Sequence, residues 1–464
     1  MKSDIDFNNY ASPFSWRYGS EQMRQIFSEV NKRRTWRKVW VELAKAQSKR
    51  GLISKEELAD IVKNENKIDI KKSHEIEEEI KHDLMAEIKT YAQQAKIGGG
   101  KIHFGATSQD IEDNADAVNF QKALDIIEKS IKDNLILFAD KIDKYKDFVC
   151  MAYTHLQPAE PTTLGYRFGI YAQDLLTDLD LLNFVRGKVK GKGTKGAVGT
   201  YASYFALLGE KVMNMEEEVM AGLGIDAFDA ATQVYPRKMD YLMLVLLSSI
   251  AQSLYKFAFD LRILQSQGFG ELMEPFGKNQ VGSSAMPFKR NPIRAEKICS
   301  LARYIVSLSK VAWDNAAHSL LERTLDDSAS RRLIIPDAFI ATDEILNTTK
   351  TILEGLVVNE TNIKRNLELY GPFAAIEPVL ISAVQKGANR QEFHEILRNH
   401  ALEAYERINL NGKNPLFDNL LSDKNIAKYL NGKEIAKHLD FTKHIGLAPK
   451  ISAQISQKVR KAAL

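Results

Sequence analysis

The sequence predicts an all-α protein organised around a long helical bundle, and three observations predict it. Apolar residues recur at helical spacing over long stretches. Alternating apolar and polar patterns, the mark of half-buried strands, are scarce. Only 12 prolines interrupt 464 residues, and none falls inside the periodic stretches.

The first stripe runs Phe120, Ala123, Leu124, Ile127, Ile131, Leu135, Phe138, Ile142. Steps of three and four draw one face of a single helix. A second runs Met239, Leu242, Leu246, Ile250, Leu254, Phe257, Leu261, Leu264, and a third includes Ile298, Leu301, Ile305, Leu308 and Ala312. Helices of this reach exceed the ~11–12 residues typical of globular proteins. Narrow stripes on long helices must pack against one another, so the middle of the chain reads as an elongated bundle. The repetition of such stripes also suggests packing between subunits, with a monomeric bundle as the alternative. From about Asn359 the helices shorten and are broken by turns such as Tyr370-Gly371-Pro372, as in a separate small domain.

Composition bounds the function. The 64 basic and 60 acidic residues leave a net charge of +4, no general case for nucleic acid or a membrane surface. A local basic pocket for an anion remains open. Cys150 and Cys299 are too few for a disulfide framework and read as buried hydrophobes. The opening residues MKSDIDFNNY lack the charged start and apolar run of a signal peptide, and no apolar stretch is expected to reach the ~20 residues of a membrane helix. The expected location is the cytoplasm.

Five stretches could carry chemistry. GSSAMPFKRNP, residues 282–292, sets Ser283, Ser284, Lys289 and Asn291 between glycines that allow movement and prolines that restrict it. It suits a mobile loop that closes over an anion, or a solvated turn. YTHLQPAEPTT offers His155, a proton carrier near neutral pH, just before a helical stretch. KHDLMAE places Lys81, His82 and Asp83 at the opening of a helix. In GATSQDIEDNADA, Thr107 and Ser108 precede a helix, as caps or as an anion site. In ERTLDDSASRR, Ser328 and Arg332 share a helical face, with Arg323 across a turn; the arginines suit phosphate, carboxylate or local ion pairs. Further glycines punctuate the basic run RGKVKGKGTKGAVGT, where a backbone could approach a ligand. No stretch has metal-ligand spacing, and no metal or cofactor is expected.

Together, in this order, these stretches resemble the fumarase/aspartase superfamily over essentially the whole chain. SSAMPFKRNP carries the superfamily resemblance. KHDLMAE, ATSQDIEDNA, THLQPAEPTT and ERTLDDSASRR point to the adenylosuccinate lyase branch, as does Arg17-Tyr18. The resemblance implies a three-domain helical subunit: an N-terminal domain 1–107, a central long-helix bundle 108–358 and a small C-terminal domain 359–464. It implies a homotetramer with a 20-helix core and active sites shared between subunits. The implied reaction is β-elimination of fumarate from adenylosuccinate and from SAICAR, with no cofactor. By resemblance His155 is the general acid and Ser283 the base, with Ser284 left open. Arg17, Tyr18, Lys81, His82, Asp83, Thr107, Ser108, Gln233, Ser284, Lys289, Asn291, Arg323, Ser328 and Arg332 would hold the substrate. Some members carry arginine where this chain has Lys297, which keeps the charge and loses the bidentate fork. The alternatives are another superfamily lyase, such as argininosuccinate lyase or a carboxymuconate-type cycloisomerase, and a non-catalytic structural relative.

Overall fold

The computed structural model describes residues 8–464. Five long helices dominate it: Ser108–Tyr145, Leu164–Arg186, Lys238–Gln265, Ile293–Ala317 and Asp326–Gly355. All three stripes lie on them. Every residue of the first is buried, and only Leu242 and Leu301 of the other two are half-buried. A continuous apolar line of this length stabilises a helix by burial, at about 25 cal/mol per Å² removed from water.

The chain divides into two compact units. The first comprises Met1–Ile131, Asp178–Gln252 and Ser300–Asn347, the second Lys132–Thr177, Ser253–Cys299 and Thr348–Leu464. In unit 1, Phe120 stacks on Phe339 at 6.1 Å, and Phe27 meets the same ring at 5.4 Å. In unit 2, Phe257 packs edge-on against Phe138 and Tyr171 at 5.2 and 5.3 Å. The C-terminal stretch has its own apolar cluster, which runs from Ala375 through Phe393 and Leu416 to Leu439.

Two short sheets depart from the helical expectation. β1 (Val149–Thr154) and β2 (Gln157–Thr163) form an antiparallel hairpin, so the YTHLQPAEPTT stretch is strand and turn, and the helix expected after it begins at Leu164. Its sequence hides this. β1 lacks clean alternation, and Pro158 and Pro161 put two residues without an N–H into β2. β3 (Leu272–Met273) pairs with β4 (Val357–Val358), both too short to show a period.

Cys150 and Cys299 are buried as expected, and neither is in a disulfide; burial pushes the Cys150 thiol up to about 11. The expectation that no apolar stretch would reach membrane length needs correction. By length and composition, Lys238–Gln265 and Glu360–Gln385 both reach it. More than half of the apolar 18-residue window of the first, 56%, is buried inside the chain, as in a core helix.

Candidate active site

Unit 1 gathers most of the expected binding residues. Arg323, Ser328 and Arg332 line one cavity of about 170 Å³ with Lys32, Glu112 and Asp116. The Asp326–Gly355 helix puts Ser328 and Arg332 one turn apart, and Arg323 lies in the turn before it. One ion pair foreseen within this stretch forms, and a second joins a residue distant in sequence. Arg323 reaches Asp327 at 2.7 Å, and Arg332 reaches Asp83 at 2.7 Å. A guanidinium has five N–H donors, so one carboxylate partner fixes its orientation and leaves others for an anion.

Two arginines missed by sequence reasoning stand behind them. Arg237 pairs with Asp113 and Asp327 at 3.0 and 2.6 Å. Arg331 pairs with Asp240 at 2.7 Å and Asp116 at 3.0 Å. Both also line the cavity. Nothing in SRR tells which arginine turns inward; only the packing of the helix decides. Burial pushes the Glu112 carboxyl up to about 7, helped by Asp83, Asp116 and Asp113.

Lys81 and His82 mark a tight helix-to-helix junction. Lys81 closes Ile70–Ile80 at φ 57°, and His82 caps Asp83–Gln94 by accepting the Met85 N–H at 3.4 Å. Burial works to raise the Asp83 carboxyl, but Arg332 brings it below its ordinary value. His103, another residue sequence reasoning passed over, has φ 68° and accepts the Trp40 indole N–H at 3.1 Å. Burial, then nearby His82, pushes it down to about 4.

Thr107 and Ser108 open the longest helix, yet neither caps it with its hydroxyl. Asp110 takes that role, accepting the Thr107 N–H at 3.0 Å. Among the described residues no hydrogen bond engages either hydroxyl, which leaves both for a ligand. The neighbouring basic run turns inward: Lys192 pairs with Asp110 at 2.6 Å and Lys195 with Glu216 at 2.5 Å, both buried. The Tyr18 ring meets Phe14, which stacks on Tyr304; each pair is 5.8 Å apart. Arg17 is exposed over Trp16, and the Gln233 N–H donates to the Glu322 carbonyl at 3.1 Å.

Unit 2 holds His155 and the loop. His155 and Leu156 are the two turn residues of the hairpin, at φ 54° and 60°. Positive φ at both is what a primed two-residue turn needs, and Asn-Gly is its usual sequence. Histidine and leucine there cost about 1–2 kcal/mol each. A register shift between Met151 and Tyr153 adds a bulge below the turn, a device that twists a hairpin and re-aims its tip. The imidazole is thus held at an exposed, strained corner.

In the loop, the Ser283 Oγ accepts the Met286 N–H at 3.1 Å and the Ala285 N–H at 3.4 Å. The Asn291 amide donates to the Gly282 carbonyl at 3.0 Å, and the Lys289 N–H to the Met286 carbonyl at 3.0 Å. Gly282 has no substitute, because a Cβ there would lie 1.9 Å from the Lys289 carbonyl oxygen. The buried Glu274 carboxylate accepts the Arg294 and Ala295 N–H groups at 3.0 Å and so caps the helix after the loop. Lys289 and Ser284 are exposed. Among the described residues no hydrogen bond joins His155 to the loop, and no group of three or more His, Cys, Asp or Glu is placed to hold a metal.

A family described as lyase matches residues 16–307, and one described as adenylosuccinate lyase C-terminus matches 372–455. The chain is 38% identical to an adenylosuccinate lyase of Saccharomyces cerevisiae over 98% of this chain and 95% of that one. The chain belongs to the adenylosuccinate lyase family. A family member from Schistosoma mansoni is 39% identical over 90% of this chain and 88% of its own length. Another, from Archaeoglobus fulgidus, is 36% identical over 94% and 96%.

Solved structures extend the fold beyond the adenylosuccinate lyase family. A fumarate lyase from Mesorhizobium sp. BNC1 has a TM-score of 0.84 at 22% identity, covering 97% of this chain and 99% of that one. A 3-carboxy-cis,cis-muconate lactonizing enzyme from Pseudomonas putida has 0.85 at 23%, covering 96% and 98%. At that identity the likeness concerns the fold alone, which is all-α of the fumarase/aspartase type.

Proposed function

We propose that this chain eliminates fumarate from adenylosuccinate, giving AMP, and from SAICAR, giving AICAR. The observation that supports the assignment of roles is the pair of peptide N–H groups directed at the Ser283 Oγ. Serine is a weak base at neutral pH. Two N–H donors stabilise its alkoxide, and a closed, dry loop with Lys289 nearby strengthens the effect. Among the described residues no such donor is directed at Ser284, which favours Ser283.

In this reading Ser283 takes the proton from the succinyl carbon next to a carboxylate. The electron pair passes into that carboxylate as an aci-carboxylate, which cations and N–H donors stabilise. The carbon–nitrogen bond then breaks as His155 protonates the leaving nitrogen. Lys289 and Asn291 hold the succinyl carboxylates. Arg17, Tyr18, Lys81, His82, Asp83, Thr107, Ser108, Gln233, Ser284, Arg323, Ser328 and Arg332 orient the nucleotide and the acid.

The same reading makes the chain a cytoplasmic homotetramer whose sites draw on several subunits, with divisions near residues 107 and 358. Exposed apolar residues on the long helices support this: Phe184, Phe259, Trp313 and Leu333 are 56, 42, 46 and 66% exposed in the single chain. The separate apolar cluster beyond Ala375 supports the second division.

Absorbance loss with adenylosuccinate tests the activity; turnover of argininosuccinate instead would overturn it. His155→Ala should lose most turnover and still bind substrate. Mixed with Ser283→Ala after verified subunit exchange, it should regain part of the activity. No regain would argue against shared sites.

A further inference from the structure

We propose that Glu271 is a positioning residue for His155: its buried carboxylate fixes the hairpin that presents the imidazole. The proposal rests on the reading of His155 as the acid. The hairpin cannot hold its own tip. Neither His155 nor Leu156 favours the left-handed backbone they occupy. Pro158 and Pro161 remove two N–H donors from β2. Side chains must therefore supply what the ladder lacks.

Glu271 supplies it. The Tyr153 hydroxyl, two residues before His155, donates to Glu271 Oε1 at 2.6 Å. Arg167 donates to Glu271 Oε2 at 3.2 Å and to the Met151 carbonyl of β1 at 2.5 Å. Asn366 completes the carboxylate at 3.0 Å. Glu271 is fully buried, so both oxygens are held in a low-dielectric network that behaves as a unit. The Tyr153 ring also packs edge-on against Phe269 at 4.8 Å, so the phenol is braced at both ends.

The main chain of the same residue leads to the other catalytic segment. The Glu271 carbonyl accepts the Asn359 N–H at 2.9 Å, and β3 follows directly, leading to Glu274 and then the Ser283 loop. One residue thus anchors the hairpin through its side chain and the strand before the loop through its backbone. Aligning a proton donor is the step most sensitive to such anchoring, because a displacement near 1 Å can cost about a hundredfold.

The test uses the full-length protein and adenylosuccinate. His155→Ala is measured first; near-normal turnover there would remove the acid itself, and the positioning role with it. With His155 established, Tyr153→Phe and Glu271→Gln should each lower kcat about tenfold to a hundredfold, while KM changes by less than about twofold. In the His155→Ala background, Tyr153→Phe should cost nothing further, because it acts only through the imidazole. Unchanged kcat in Tyr153→Phe, or an equal loss with and without His155, would overturn the proposal. Should Glu271→Gln fail to fold, Tyr153→Phe decides alone, since it removes one hydroxyl and keeps the ring on Phe269.

Discussion

The cavity of unit 1 and the segments of unit 2 proposed to be catalytic treat charge in opposite ways. Around Arg323 and Arg332 every arginine already has a carboxylate partner, so the walls are set before an anion arrives. The Ser283 loop is exposed, with Phe288 82% exposed, and is held by a few backbone contacts. The His155 turn is strained. A nucleotide needs a fixed, orienting surface. Proton transfer needs groups that meet in a water-poor site only when substrate is present. The proposed roles put the first in paired, part-buried side chains and the second on a turn and a loop, which serves both.

The contrast predicts that variants at Ser283 and His155 change kcat and that variants of the unit 1 arginines change KM. Ser283→Ala should give the largest effect, a kcat loss of about 10²–10⁴-fold with KM nearly constant. A loss below about tenfold would take the base role from Ser283. Gly282→Ala comes next. Its Cβ would displace the Lys289 carbonyl, and about a hundredfold loss of kcat is expected; a fully active variant would show that the loop contacts do not matter in the closed state.

Arg332→Lys should be milder and opposite in kind. It keeps the charge and loses the fork, so KM should rise about tenfold with kcat nearly intact. A fall in kcat alone would break the division between the two regions.

The smallest effects concern stability against pH, and two groups oppose each other. Unfolded, His103 takes up its proton near 6.5; folded, near 4. Between those values the unfolded chain binds more protons, so this stability is complete above 6.5 and lost as pH falls toward 4. Glu112 has the reverse sign. Its carboxyl moves from 4.5 to about 7 on folding, so its contribution is present below 4.5 and lost as pH rises through 7. Between pH 7 and 5 the melting temperature should fall less in His103→Asn, and more in Glu112→Gln, each by about 2 °C. Asparagine suits the left-handed backbone at 103. Parallel melting curves for all three proteins would refute both assignments.

Much of this was legible beforehand. The stripe from Phe120 to Ile142 specified a long helix, because burial along one face leaves a period in the sequence. Arg323, Ser328 and Arg332 were legible as a set, since helical spacing puts the last two on one face. The hairpin at His155 was not: a two-residue turn formed by histidine and leucine has no local signature. Nor were His103, Glu112 and Glu271, single polar residues whose meaning depends on what lies across the fold.

The sequence by itself determined the helical class, the family and the identity of the residues available for chemistry. Those follow from periodicity and from ordered motifs, which are properties of the chain in one dimension. Only the tertiary structure decided which of them carry free hydrogen-bonding capacity. It turned Lys192 and Lys195 inward and replaced the Thr107 cap with Asp110. It also set two peptide N–H groups against Ser283 and bound the hairpin of His155 to Glu271. A hydrogen bond or a displaced pKa belongs to neighbours brought close by folding, and separation along the chain carries no record of that closeness.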